Sequence, residues 1–151
     1  METRTALPDV TVETSEGPLV LPSLAGRPAV IYFYPKADTS GCTREAEDFT
    51  RLAPDFAVAG VAVVGISKDT PAVLAKFAAK RALTVRLASD EGGAACEAFG
   101  VWGEKRLYGR TYMGVERATF LFGPDGRLAR AWRTVKVSGH AEAVLEAARE
   151  L

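Results

Sequence analysis

The sequence predicts an α/β fold, a three-layer α/β/α sandwich with a mixed central sheet. Continuous apolar runs of strand length alternate with helix-period segments through the middle of the chain, the pattern of parallel strands joined by helical crossovers. Near the C-terminus Gly123-Pro124-Asp125-Gly126 separates two strand-like runs, a hairpin signal that adds antiparallel strands. At 151 residues, residues 1–151 are expected to form a single domain with a substantial core.

Taken in order, Val10-Thr11-Val12 and Leu19-Val20-Leu21 read as a short hairpin closed by a Gly17-Pro18 turn. Ala29-Val30-Ile31-Tyr32-Phe33-Tyr34 has the β-branched and aromatic content of a buried strand. After a polar loop, a helix is expected to begin at Cys42, with Thr39 or Ser40 near its N-cap and Glu45 and Glu47 in its first turn. Ala46, Phe49, Leu52, Ala53 and Phe56 continue at helical spacing, and Pro54 is expected to kink or divide the helix. Val61 to Ser67 is a second buried strand. Thr70-Pro71 supplies an N-cap and an N1 proline for a helix reaching about Ala82. Val85 to Ala88 alternates as a third strand, and a short helix ends near Phe99-Gly100. Residues 101–114 show no clear period and are expected to form an ordered surface loop. Arg117 to Phe122 and Leu128 to Trp132 are the final hairpin, and Ser138 is expected to cap a last helix.

Composition narrows the function. The 19 basic and 19 acidic side chains balance, whereas nucleic-acid binders carry a basic excess. No run is long enough to span a membrane and no secretory core follows Met1, so a cytoplasmic protein is expected. The two cysteines, Cys42 and Cys96, form no C-x-x-C pair and no disulfide framework. With His140 as the single histidine, neither a zinc site nor a Cys–His catalytic pair is suggested.

The segment Pro35 to Glu45 carries the chemistry. It lies at the carboxyl end of a predicted central strand, where open α/β sheets place their sites. A thiol at the start of the following helix faces unpaired N–H groups and the positive end of the helix dipole, a setting that favours a thiolate. Cys42 is therefore the candidate nucleophile.

Pro35-x-x-x-Thr39-x-x-Cys42 resembles the active-site signature of the peroxiredoxins, thioredoxin-fold thiol peroxidases. Tyr32-Phe33-Tyr34-Pro35-Lys36, Gly41-Cys42-Thr43-x-Glu45-Ala46 and Tyr108-Gly109-x-x-Tyr112-Met113-Gly114-x-x-Arg117-x-Thr119-Phe120-Leu121 resemble the bacterioferritin-comigratory-protein, or Q, subfamily. The similarity runs from about Pro8 to Leu145. It implies a thioredoxin-like domain in which Cys42 attacks a hydroperoxide and becomes a sulfenic acid. Arg117 would hold the thiolate and stabilise charge on the breaking O–O bond. Thr39 would set its hydroxyl between thiolate and peroxide, and Pro35 would wall the pocket. The backbone N–H groups of Gly41 and Cys42 are implied peroxide contacts, and Glu45 is implied to orient Arg117. Trp102 and Tyr108 could line the entrance, although core or loop packing is the simpler reading.

One departure matters. Many Q-type relatives carry a resolving cysteine five residues after the peroxidatic one, where this chain has Glu47. Regeneration would then use an external thiol (thioredoxin, a glutaredoxin system or a small thiol) or Cys96, which sits among small apolar residues as buried, inert cysteines do. No metal, haem or flavin is implied, and a monomer or homodimer is expected. The competing reading is a non-catalytic redox sensor that signals through oxidation of Cys42.

Overall fold

The computed structural model describes the whole chain, Met1–Leu151. Its elements are β1 (Thr11–Thr14), β2 (Gly17–Val20), β3 (Ala29–Phe33), α1 (Ser40–Val58), β4 (Ala62–Ser67), α2 (Pro71–Arg81), β5 (Arg86–Ser89), α3 (Ala94–Ala98), β6 (Trp102–Leu107), β7 (Arg110–Val115), β8 (Ala118–Phe122), β9 (Leu128–Trp132) and α4 (His140–Arg149). A seven-stranded sheet runs β2-β1-β5-β4-β3-β8-β9. Strands β3, β4 and β5 are parallel, whereas β8 joins β3, and β1 joins β5, antiparallel. The mixed sheet is thus the one the alternating pattern predicts.

Strand β3 is buried on both faces, and its alternation divides the core. Ala29, Ile31 and Phe33 face a layer containing Leu21, Leu24, Cys96 of α3, Phe99 and Phe120. Val30 and Tyr32, with Tyr34 beyond the strand end, face the layer beneath α1, α2 and α4, which holds Cys42, Phe49, Phe56, Phe77 and Val144. The two cysteines therefore stand on opposite faces of the sheet. Tyr32 lies flat across its β4 neighbour Gly65, where any Cβ would overlap the ring.

Several expected boundaries move. The first hairpin turns at Ser15-Glu16, and Gly17 and Pro18 enter β2, because pairing with Glu13 and Thr14 extends the ladder to them. Helix α1 is undivided through Pro54. That proline is exposed, and α1 buries Leu52 before it and Phe56 after it in the same layer. Burying each side chain contributes about 1.5–3 kcal/mol, enough together to offset the roughly 3 kcal/mol cost of an interior proline. The last helix is preceded by Gly139 at φ 71°, with no side-chain cap, so Ser138 does not cap it.

The largest correction is residues 101–114, which are a hairpin. β6 and β7 pair antiparallel from Trp102–Val115 to Leu107–Arg110. Tyr108 and Gly109, at φ 51° and 75°, form the two-residue turn whose twist suits a hairpin. Most of the hairpin is exposed or half-buried, so the sequence shows no alternation. Tyr108 is 95% exposed at the tip and does not pack in the core. Trp102 is half-buried, with the Lys68 ammonium 3.9 Å from its ring centroid.

Candidate active site

The site begins where β3 ends. The Tyr34 N–H still donates to Ile66 O at 3.1 Å; Pro35, half-buried, then turns the chain out of the sheet. Asp38 takes φ 62°, and Thr39 is the extended N-cap of α1. The helix starts at Ser40 rather than Cys42, because Thr43 N–H already donates to Thr39 O at 2.9 Å. Cys42 is thereby the third helical residue, and Glu45 and Glu47 lie in the second turn.

The Thr39 side chain makes no cap hydrogen bond. Its hydroxyl donates instead to Lys36 O at 2.8 Å, which leaves its lone pairs available to a donor from solution. The first N–H groups of α1, including those of Gly41 and Cys42, have no intrahelical acceptor, and the Thr39 side chain does not cap them. They form the positive end of a helix beside the thiol, a natural seat for negative charge.

Arg117, just ahead of β8, closes the site from the neighbouring strand. Its Nη2 is 3.3 Å from Cys42 Sγ, and its Nη1 is 2.7 Å from Glu45 Oε1. One guanidinium fork thus spans nucleophile and carboxylate. Gly41 permits the approach, since a Cβ there would stand 3.1 Å from Arg117 Nη2. Cys42 is 2% exposed, so the thiol is shielded from bulk water. Burial opposes the charge of Arg117, but Glu45 and Cys42 outweigh it and raise the guanidinium's hold on its proton.

Two titratable groups behind the thiol are shifted in opposite directions. Burial pushes the Glu45 carboxyl up to about 7, against the lowering effect of Arg117; its Oε2 finds no hydrogen-bond partner in the protein. Burial, assisted by Arg117, pushes His140 down to about 4. His140 Nε2 is 2.8 Å from Thr119 Oγ1, and its ring meets Phe49 and Trp132 edge-on. It is therefore engaged away from Cys42.

These shifts predict a pH signature of stability. Between about 4.5 and 6.5 folding takes up a proton at Glu45 and releases one at His140, so the two slopes cancel. Above 6.5 only the Glu45 slope remains, and it lowers stability as pH rises towards 7. Glu45→Gln removes that term. Its stability relative to the unsubstituted protein should rise with pH across 4.5 to 7, by up to about 1.4 kcal/mol per pH unit. Urea midpoints measured at half-unit pH steps check this; parallel curves for the two proteins would refute it.

Cys96 is fully buried, its N–H donating to Asp90 Oδ2 at 2.8 Å. Burial, then Asp90, pushes its thiol upward, away from ionisation. No group of three or more His, Cys, Asp or Glu side chains is arranged to hold a metal ion. A cleft of about 390 Å³ between α2 and the β1–β2 turn includes neither Cys42 nor Arg117 in its lining. The structure brings Arg117 into contact with both Cys42 and Glu45, with Pro35 and Thr39 on the loop that leads to them. Residue spacing did not reveal the Thr119–His140 bond or the approach that Gly41 allows; Thr119 in the Arg117-x-Thr119 segment was the available signal for the first.

An arginine-held thiol at the strand–helix junction of a thioredoxin-like sheet is the arrangement of a thiol-dependent peroxidase, an oxidoreductase. The AhpC/TSA family model matches residues 3–131, and the chain belongs to that family, the peroxiredoxins. Its similarity within the family is to the Bcp, or Q, proteins. Peroxiredoxin Bcp of Xanthomonas campestris pv. campestris is 49% identical over 123 residues, covering 82% of this chain and 77% of that protein. Peroxiredoxin Bcp of Escherichia coli K12 is 42% identical over 130 residues, 86% of this chain and 83% of that one. Among solved structures, the bacterioferritin comigratory protein of Xanthomonas campestris superimposes with TM-score 0.91 at 42% identity, covering 99% of this chain and 98% of the other. A cysteine-to-serine mutant of PrxQ from Xylella fastidiosa gives 0.93 at 36% identity, covering 99% and 96%.

Proposed function

We propose that the chain reduces hydrogen peroxide and organic hydroperoxides through a sulfenic acid on Cys42, with an external thiol as reductant. The observation that carries this is the Arg117 fork, which reaches Cys42 Sγ and Glu45 Oε1 together beside the uncapped start of α1. The Cys42 thiolate attacks the terminal peroxide oxygen in line with the O–O bond. An S–O bond forms, the O–O bond breaks, and sulfur supplies the two electrons. The leaving oxygen takes a proton and departs as water or alcohol, and Cys42 becomes a sulfenic acid. Arg117 and the Gly41 and Cys42 N–H groups face the charge that moves onto the leaving oxygen. Thr39 Oγ1 accepts from the peroxide O–H while donating to Lys36 O, which orients the substrate. Pro35 walls the pocket against water. The solved Xanthomonas relative is described in terms of alkyl peroxide reduction, which supports the same substrate class here.

Regeneration by Cys96 would need the two Cα atoms within about 7 Å, yet the sheet lies between the cysteines and Cys96 resists ionisation. A thioredoxin, a glutaredoxin system or a small thiol therefore condenses with the sulfenic acid, releasing water, and a second thiol reduces the mixed disulfide. Intact mass under non-reducing conditions, after one equivalent of hydrogen peroxide, tests this. The expected product gains one oxygen, equally in Cys96→Ala, and the variant turns over within about twofold of the parent given excess thiol. Loss of two hydrogens, or a linked dimer, that vanishes in Cys96→Ala would make Cys96 the resolving thiol. An unchanged mass would overturn the peroxidase mechanism.

A further inference from the structure

The segment Pro35–Thr39 belongs to neither β3 nor α1, yet it decides where Cys42 stands. Two carboxylates tie it to the rest of the fold, its own Asp38 and, from outside, Asp69. Asp38 reaches out to Lys80 Nζ at 2.7 Å and to Arg81 Nε and Nη2 at 3.3 and 3.1 Å. Those side chains are substantially exposed, and ion pairs of that kind are screened by water and salt. The inner contact is different. Ala37 is 7% exposed and packs in the same apolar layer as Cys42, so its N–H needs an acceptor inside the protein. That acceptor is Asp69 Oδ2 at 2.8 Å.

Asp69, between β4 and α2, is itself anchored to the sheet. The Ser67 hydroxyl at the end of β4 donates to Asp69 Oδ2 at 2.7 Å and accepts from the Asp69 N–H at 3.3 Å. The Ser89 hydroxyl at the end of β5 donates to Asp69 O at 2.6 Å. Both serines are buried, at 0% and 4% exposure. The following strand end is tied in as well, since Asp90 N–H donates to Ser67 O at 2.8 Å. One carboxylate oxygen thus receives a strand-end hydroxyl and a loop N–H at once, transferring the rigidity of two parallel strands to the loop before α1.

We propose that Asp69 is a positioning residue for the peroxidatic centre: through Ala37 it sets the loop, and so the start of α1, the direction of Cys42 Sγ and the N–H groups beside it. This rests on the reading of Cys42 as the nucleophile that attacks peroxide. In-line attack on an O–O bond tolerates little misalignment, and a shift near 1 Å at a reacting centre costs about 100-fold. Alkylation of the same sulfur by iodoacetamide has no oxyanion seat to satisfy and demands less precise alignment by the loop.

The test compares rate constants for oxidation of Cys42 by hydrogen peroxide and for its alkylation by iodoacetamide in Asp69→Ala, Asp69→Asn and the unsubstituted protein, with thermal melting as a fold control. In Asp69→Ala, peroxide oxidation should fall by roughly 10- to 100-fold, while alkylation stays within about threefold. Asp69→Asn, which keeps an acceptor oxygen for Ala37 N–H and the Ser67 hydroxyl, should recover to within about threefold of the parent. If Asp69→Ala does not fold, the Asn variant and Ser67→Ala, expected to lose about two- to fivefold in oxidation alone, carry the comparison. Equal losses in both reactions, an Asn variant as slow as Ala, or undiminished oxidation would each overturn the positioning role. A parent protein that does not react with peroxide would instead overturn the peroxidase reading.

Discussion

Replacing Cys42 with serine abolishes hydroperoxide consumption, lowering it by at least roughly 10⁴-fold, while the protein stays folded. Oxygen replaces sulfur at a site only 2% exposed with little change in volume, and the hydroxyl can still accept from Arg117 Nη2. It cannot ionise at neutral pH or present a polarisable nucleophile to an O–O bond. Steady-state peroxide consumption with excess thiol, alongside a melting curve within a few degrees of the parent, checks both halves. Retained turnover would mean that the peroxide is reduced elsewhere and would overturn the mechanism.

Arg117→Ala is the second large effect and acts on chemistry and stability together. Losing the donor at Cys42 Sγ removes the main fixed charge facing the reacting atoms, and a loss of roughly 10³-fold or more in the oxidation rate constant follows. Breaking the pair with Glu45, which is 1% exposed, leaves a carboxyl without a counter-charge and costs about 3 kcal/mol or more. Without Arg117 the Glu45 carboxyl shifts further upward, so this destabilisation grows as pH rises and is relieved in acid. Combining Arg117→Ala with Glu45→Gln should restore much of the stability and none of the activity. Arg117→Lys recovers little, because a single ammonium cannot replace a planar fork whose two nitrogens lie 2.7 Å from Glu45 Oε1 and 3.3 Å from Cys42 Sγ. Stopped-flow oxidation and urea unfolding at pH 6 and 8 measure the two effects separately; activity within tenfold of the parent in Arg117→Ala would remove Arg117 from the mechanism.

Helix N-terminal amides, a buried thiol and a counter-charged arginine are individually ordinary, and what distinguishes this site is their convergence from two parts of the chain. Cys42 arrives on α1 directly from β3, whereas Arg117 arrives 75 positions later, immediately before β8. They meet because β8 pairs antiparallel with β3, setting Ala118 opposite Phe33. The same pairing sets Thr119 opposite Tyr32 and carries the Thr119–His140 contact to the start of α4.

The sequence by itself determined the elements that are continuously apolar over a strand's length or whose ends carry chemical stop signals. The β3, β4 and β8 runs, the Thr70-Pro71 start of α2 (where Thr70 accepts from Val73 N–H at 3.2 Å) and the Gly-Pro-Asp-Gly turn were all legible there. So was the motif that marks Cys42, Thr39 and Arg117 as candidates. Tertiary structure alone decided the remainder. The β6–β7 hairpin rests on a two-residue turn and lacks an apolar face, so no periodicity announced it. Pro54 stays within α1 because burial on both sides of it outweighs its local cost. The opposite placement of the two cysteines, the shifted carboxyl of Glu45 and the grip of Asp69 on the Ala37 backbone depend on which buried groups share a face and which are left without water. Those are properties of packing between distant segments, and a linear pattern does not carry them.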